Sequence, residues 1–321
     1  MPPLTVCVLA KPEDSSLRLL DTVPEAVRFV VGTTPEAFAE AAPQADAICL
    51  VAGGRRLLEP VFARAPRVRW VHIGWAGLDG ALFPALVDSA VPVTNARGVF
   101  SGSLSEFVLA SILFFAKDLR RLLASQAAGR WAPFEVEEIA GRSVGILGFG
   151  DIGRAVAERA KAMGLRVLAM RRRANVTNDP LADESFPPER RLELIARADY
   201  VVLVLPATDE TRGIFGAAEI AAMKPQAVLI NIGRGSTLDE GALVRALEAR
   251  QIRGAALDVF ETEPLPPGHP FWRLDNVLLS PHTADRTATW REEAMQLFLD
   301  NLDRFQRGET LRNLVDKRRG Y

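Results

Sequence analysis

The sequence predicts an α/β protein built on two parallel sheets, with the domain that carries the second sheet inserted into the first. Three observations predict it. Short apolar runs alternate with helical patterns from residue 4 to about 95, and again from 143 to 281, as parallel strands joined by crossover helices do. The glycine-rich stretch "ILGFGDIG" (146–153) opens the second alternation, not the first. A helical pattern from about 286 to 307 lies beyond the last strand, placed to cross back to the first domain and make it discontinuous. With 321 residues, two domains are expected: 1–98 together with 287–321, and 99–286 between them.

In the first domain "LTVCVLA" (4–10), "VRFVV" (27–31), "DAICLV" (46–51), "VRWVHI" (68–73) and "VPVTN" (91–95) read as strands. Between them "PEAFAEAAP" and "LLEPVFARAP" have helical spacing and stop at prolines. A single long helix is expected from Ser101 to about Ser125, with Ser103 and Glu106 spaced as a capping box. Its run of Phe107, Leu109, Ile112, Leu113, Phe114 and Phe115 demands cover on more than one face.

The second domain offers six strands: "SVGILGF" (143–149), "RVLAM" (166–170), "YVVLVLP" (200–206), "AVLINIG" (227–233), "GAALDVF" (254–260) and "NVLLSP" (276–281). Helices fit at 151–163, 189–198, 217–223 and 239–250, and the polar stretch 173–188 reads as a surface loop. Six strands with interposed helices make one doubly wound sheet.

Composition excludes several roles. Apolar residues are 48 % of the chain and charged residues 25 %, ordinary for a globular protein. The net charge is −1, with 39 basic against 40 acidic residues, so no broad field draws nucleic acid or anionic membrane. No apolar run approaches the roughly 18 residues that a membrane span needs. The first residues, "MPPLTVCVLAKPED", lack the basic region of a signal peptide. Cys7 and Cys49 each sit in an apolar strand-like run and read as buried free thiols, so a reducing cytoplasm is expected. No metal ion is expected.

Each glycine of "ILGFGDIG" has a mechanical role. Gly148 permits the tight turn, Gly150 lets the backbone approach a pyrophosphate, and Gly153 lets helix and strand pack closely. Phe149, Asp151 and Ile152 complete the loop, whose N–H groups and helix dipole hold phosphates. A site specific for NAD places a carboxylate at the end of the next strand, roughly twenty residues on, against the ribose 2′-hydroxyl. This chain reads "AMRRRAN" there, with Arg171 about where the acid belongs and Arg172 and Arg173 behind it. Guanidinium forks bind phosphate oxygens, so NADP(H) is the preferred cofactor, with NAD(H) still possible.

Three further stretches follow in order: "NIGRGSTLDE", "ALDVFETEPLP" and "LLSPHTA". Together with the glycine loop they resemble the D-isomer-specific 2-hydroxyacid dehydrogenase family over essentially the whole chain. The resemblance implies two Rossmann-like domains, one flavodoxin-like and one doubly wound and dinucleotide-binding, with the cofactor domain inserted into the substrate domain. It implies a catalytic Arg–Glu–His set carried by Arg234, Glu263 and His282. The chemistry is consistent with those residue types. Reducing a 2-oxo acid needs a proton donor, a charge that holds the donor's imidazolium, and a guanidinium for the neighbouring carboxylate.

Other positions follow from the same resemblance. Asp258 matches the acid that contacts the nicotinamide carboxamide, and as plain structure it reads as a cap or turn. Leu205, Pro206 and Thr211 match a segment passing beside the cofactor, with Ile232, Gly233 and Ala284 lining the same cleft. In the first domain, the glycine-rich "VAGG" (51–54) and "GWAGLDG" (74–80) follow strands. The resemblance makes Gly53, Gly54 and Gly77 backbone donors to the substrate, which glycine's close approach allows; as plain turns they would look the same. Trp75 reads equally as a wall of the substrate pocket or as packing. His72 and His269 read as structural and loop residues.

The resemblance also implies a homodimer built on the 101–125 helix. A small 2-oxo or 2-hydroxy acid is the expected partner, with no nucleic acid and no membrane. Glu263 argues against the formate dehydrogenase branch. The arginines after the second strand and "GVFSGSLSEFVLASIL" are most similar to the NADPH-preferring glyoxylate/hydroxypyruvate reductases. A broad-specificity D-2-ketoacid reductase is the near alternative. A dinucleotide-dependent scaffold, as in the C-terminal-binding-protein corepressors, is the non-enzymatic one. A short-chain dehydrogenase is excluded, because neither Tyr200 nor Tyr321 stands in a Tyr-x-x-x-Lys pair. L-lactate and L-malate dehydrogenases open on their glycine loop, without so long a domain before it.

Overall fold

A computed structural model describes residues 3–23, 26–172 and 179–320. The chain divides into two units, Met1–Phe100 with Thr287–Tyr321, and Ser101–Arg286. Among the described residues no helix is long and apolar enough to cross a membrane.

In the first unit β1 (Leu4–Leu9), β2 (Val27–Gly32), β3 (Ala47–Leu50), β4 (Trp70–Ile73) and β5 (Val93–Asn95) form one sheet in the order β2-β1-β3-β4-β5. Every pairing is parallel, the flavodoxin-like order. Strands β1, β3 and β4 are buried almost throughout, which is why they read as unbroken apolar runs rather than as alternations. The helix α1 (Gly54–Ala63) follows β3, and the short α2 (Pro84–Asp88) precedes β5. The expected helix over "PEAFAEAAP" forms only two 3₁₀ turns, Pro35–Phe38 and Ala42–Gln44. Pro43 has no N–H to return to the preceding turn, so a continuous helix is interrupted there. Cys7 and Cys49 are buried and free and pack in the clusters on opposite faces of the sheet.

The second unit opens with a correction. The expected single helix is two, α3 (Ser101–Ala116) and α4 (Leu119–Ala127). Asp118 takes a left-handed φ of 47° and accepts a hydrogen bond from the Arg121 N–H, so it caps a new helix instead of continuing the old one. The capping box fails as well, because α3 has already begun at Ser101. The Ser103 hydroxyl donates instead to the Ala284 carbonyl at 2.5 Å. Leu104, Val108, Ile112 and Phe115 lie on the buried face of α3 at helical spacing.

Then follow β6 (Ser143–Leu147), α5 (Asp151–Ala162), β7 (Arg166–Met170), β8 (Glu184–Phe186), α6 (Arg191–Arg197), β9 (Tyr200–Leu203), α7 (Ala217–Ala222), β10 (Val228–Asn231), α8 (Glu240–Glu248), β11 (Gly254–Leu257) and β12 (Val277–Leu279). Among the described residues the sheet has seven strands, not the six expected, in the order β12-β11-β10-β9-β6-β7-β8. All pair in parallel. The extra strand β8 lies inside the stretch read as a surface loop, where the fully buried Phe186 pairs with Met170. Strand order reverses between β6 and β9, the switch point beside which doubly wound sheets bind ligands.

The last helix, α9 (Trp290–Gln306), belongs to the first unit. Its Met295, Phe298, Leu299 and Leu302 cover the sheet face that carries Val6, Val8, Cys49 and Trp70. The Phe298 ring stacks on Trp70 at 5.3 Å.

Candidate active site

The glycine loop joins β6 to α5, and sterics dictate its composition. Gly148 has φ +107°, and a Cβ there would lie 2.3 Å from the Val204 carbonyl oxygen. A Cβ on Gly153 would meet the Gly148 carbonyl oxygen at 2.2 Å, whereas one on Gly150 would meet nothing within 4 Å. Two glycines therefore close the turn, and the third leaves open space before the helix N-terminus. Such a cradle suits a pyrophosphate, so these residues fit a dinucleotide. Asp151 accepts a hydrogen bond from the Ser101 hydroxyl, and Ile152 is half-buried. Phe149 lies beneath the guanidinium groups of Arg154 and Arg171, at 5.8 and 5.4 Å. Arg172 reaches Glu210 at 2.6 Å. Arg173 lies outside the described residues.

Arg234 follows β10 in a turn that its neighbours force. The Asn231 side chain braces this turn, accepting from the Gly233 N–H at 3.1 Å and donating to the Arg234 carbonyl at 3.2 Å. Gly233 has no room for a side chain: a Cβ would lie 2.9 Å from the backbone N and O of Leu205. At Gly235 a Cβ would come within 1.9 Å of the Phe260 backbone. The arginine loop is thus wedged between the chain leaving β9 and the chain leaving β11. The Arg234 guanidinium itself donates to the Gly233 carbonyl at 2.8 Å.

Glu263 and His282 come from the ends of β11 and β12. The Glu263 Oε2 accepts from His282 Nδ1 at 2.7 Å, and its Oε1 accepts from the Phe260 N–H at 3.0 Å. The carboxylate is therefore fixed from both sides. His282 has φ +50°, a left-handed turn that Asp258 holds. Asp258 is 1 % exposed, and its Oδ1 accepts from the Ser280 hydroxyl (2.5 Å), the Thr283 N–H (2.9 Å) and the Ala284 N–H (3.1 Å). Its backbone carbonyl takes the His282 N–H at 2.9 Å. Burial pushes the Asp285 carboxyl upward, opposed by His282. Burial likewise raises Glu240, against the Glu261 N–H and His269.

Of the flanking positions, Leu205, Ile232 and Ala284 are buried, and Pro206 is half-buried. Thr211 is a brace, its hydroxyl donating to the Pro206 carbonyl at 2.5 Å. Two residues bearing on the site were not singled out from the sequence. Asn231 stood inside the "NIGRG" motif, unmarked by its type. Asp179, which pairs with Arg154 and Arg171, gives no sequence signal, since it stands inside the polar stretch 173–188.

The substrate candidates lie in the first unit. Gly53 (φ +84°) caps α1, and Gly54 (φ +55°) begins it. Gly77 is half-buried, and Trp75 is a half-buried residue packed against the first unit's core. His72 is buried. Trp70 Nε1 donates to the Thr94 hydroxyl at 2.8 Å, and that oxygen lies 2.8 Å from His72 Nδ1. His269 caps a 3₁₀ turn by accepting from the Phe271 N–H.

Fold and site together define a doubly wound dinucleotide-binding unit with an Arg–Glu–His set spread over three consecutive strand ends. Comparison with known proteins agrees on the class of fold. Residues 109–284 match the NAD binding domain of the D-isomer specific 2-hydroxyacid dehydrogenases. The chain is 31 % identical over 312 residues to the D-3-phosphoglycerate dehydrogenase of Methanocaldococcus jannaschii, covering 94 % of itself but only 57 % of that protein's length. It is 36 % identical to the glyoxylate reductase of Korarchaeum cryptofilum, over 80 % of this chain and 79 % of that one. Its structure superposes with a TM-score of 0.82, at 27 % identity and over all of both chains, on an NADPH-dependent glyoxylate/hydroxypyruvate reductase from Sinorhizobium meliloti in complex with NADP and sulfate. The chain belongs to the D-isomer specific 2-hydroxyacid dehydrogenase family.

Proposed function

We propose that this protein is an NADPH-dependent reductase that converts glyoxylate or hydroxypyruvate to the corresponding D-2-hydroxy acid. One observation carries the reading: His282 Nδ1 sits 2.7 Å from Glu263 Oε2, beside the strand end that bears Arg234. Nδ1–H is committed to the carboxylate, which leaves Nε2 to hold a proton for the substrate's carbonyl oxygen. Glu263 stabilises the imidazolium through a charge-assisted bond. Arg234 supplies a planar fork for the substrate carboxylate and polarises the adjacent carbonyl. In the first unit, Gly53, Gly54 and Gly77 are the proposed backbone donors to a carboxylate and Trp75 the proposed pocket wall. Bound NADPH supplies the hydride to the carbonyl carbon. The glycine loop would hold its pyrophosphate, Asp258 its carboxamide, and Arg171 with Arg172 its 2′-phosphate.

The glyoxylate reductase of Korarchaeum cryptofilum supports this choice of substrate, and the NADPH-dependent reductase of Sinorhizobium meliloti supports the choice of both substrate and cofactor. The working unit in this reading is a homodimer formed on the 101–127 segment. The half-buried Phe107, Leu113 and Phe114 there continue into Leu119, Leu122 and Leu123, which are 37, 46 and 62 % exposed, and apolar surface of that kind seeks a partner. Two buried cysteines on opposite sheet faces fit a cytoplasmic protein.

Steady-state kinetics with NADPH and NADH on both acids tests the reading. Turnover with NADPH is expected, with His282→Asn lowering kcat by roughly 10²–10⁴-fold. A strong NADH preference contradicts the arginine assignment. Tight dinucleotide binding with no turnover on any 2-oxo acid points instead to a scaffold.

A further inference from the structure

The strand end where a dinucleotide fold reads the ribose 2′ position holds more than arginine. Arg171 leaves β7 with its side chain only 13 % exposed. Nη2 donates to the Ser185 hydroxyl at 2.6 Å and Nη1 to Asp179 Oδ2 at 3.1 Å, while the buried Nε has no hydrogen-bond partner among the described residues. Arg154, from the first turns of α5, pairs with the same Asp179 oxygen. Both guanidinium groups lie over Phe149 of the glycine loop. Asp179 is itself 5 % exposed, and its Oδ1 accepts from the Leu181 N–H at 3.1 Å. Burial works against its charge, but the Leu181 amide and the two arginines outweigh burial and hold its carboxyl below the usual range. Asp179 is therefore an anion at neutral pH.

The carboxylate absent from the end of β7 is thus present after all, supplied eight residues downstream and aimed at the arginine that replaced it. We propose that Asp179 is a specificity-determining residue: it occupies Arg171 and Arg154 as an internal anion and so limits the preference for NADPH over NADH. This rests on the assignment of Arg171 to the 2′-phosphate. With no phosphate present, Asp179 satisfies a guanidinium that would otherwise be buried without a counter-charge, and a 2′-hydroxyl is tolerated. With a 2′-phosphate present, the dianion shares both arginines with a carboxylate that repels it. Arg172, paired with the exposed Glu210, adds charge from the rim.

The test is calorimetric titration of NADP⁺ and NAD⁺ into the full chain, for the wild type, Asp179→Asn, Arg171→Ala and the double variant, at one ionic strength. Asp179→Asn is expected to tighten NADP⁺ by about tenfold and to move NAD⁺ by less than about twofold, the scale of one partly screened charge beside a dianion. The gain is expected to vanish in the Arg171→Ala background. Asp179→Ser, which keeps an acceptor for the Leu181 N–H, replaces the Asn variant if melting curves show that one unfolded. If Arg171→Ala weakens NADP⁺ but removing the Asp179 charge leaves it unchanged or weaker, the proposal is overturned and the cofactor assignment stands. If Arg171→Ala leaves NADP⁺ untouched, the cofactor assignment itself falls, and the proposal falls with it.

Discussion

Replacing Glu263 by Gln isolates the charge proposed to back His282 as proton donor. The amide keeps the size and the contact with the Phe260 N–H, but offers His282 Nδ1 a neutral acceptor where the structure has a carboxylate at 2.7 Å. A hydrogen bond to a charged group is worth about 1.5–3 kcal/mol. Here both side chains keep over a third of their surface, 38 % for His282 and 35 % for Glu263, so solvent screening favours the low end. About 1.5–2 kcal/mol corresponds to a 10- to 30-fold lower kcat. The KM for the oxo acid should move little, because the proposed mechanism gives the carboxylate to Arg234 and not to Glu263. The assay is the fall in NADPH absorbance at saturating and limiting glyoxylate. An unchanged kcat, or a loss confined to KM, refutes the reasoning.

Gly235→Ala is expected to abolish activity and lower stability by several kcal/mol, since its Cβ has no space against the Phe260 backbone; thermal melting and kcat together check it. Asp258→Ala strips one buried acceptor from three donors and should cost on the order of 2–4 kcal/mol in urea unfolding, with kcat falling as the His282 turn loosens. His72 gives the first unit an acid sensitivity, since burial lowers its pKa from 6.5 to about 3. Between those values the unfolded chain binds a proton that the folded chain refuses, so stability is intact above about pH 6.5 and falls by about 1.4 kcal/mol per unit as pH drops towards 3. Urea unfolding at pH 7, 6 and 5 should show a shallower decline in His72→Gln than in the wild type.

The two sheets were legible because buried parallel strands carry their signal in the sequence itself: "VCVL" and "YVVL" are apolar on both faces. The strand β8 was not, since only Phe186 among its three residues is buried. The break between α3 and α4 was hidden because Asp118 sits in an otherwise helical pattern, and only its left-handed φ ends the first helix. At the site, residue type and motif order pointed to Arg234, Glu263 and His282, and the structure joins the last two directly. The residues that hold them were harder to read. The Asp258 grip on the His282 turn links residues 25 and 26 positions apart, and Asp179 meets Arg171 from a stretch of sequence that carries no motif. Such tertiary partners depend on register and packing, which a local pattern does not encode.

The central claim is hydride transfer to the carbonyl carbon of a 2-oxo acid at the Arg234, Glu263 and His282 set. Incubating the protein with hydroxypyruvate and NADPH carrying deuterium at both nicotinamide C4 positions, then analysing the product by mass spectrometry and chiral chromatography, is the decisive measurement. D-glycerate carrying one deuterium at C2 is expected. Unlabelled product, the L enantiomer, or label that still transfers at the wild-type rate in His282→Asn would contradict it.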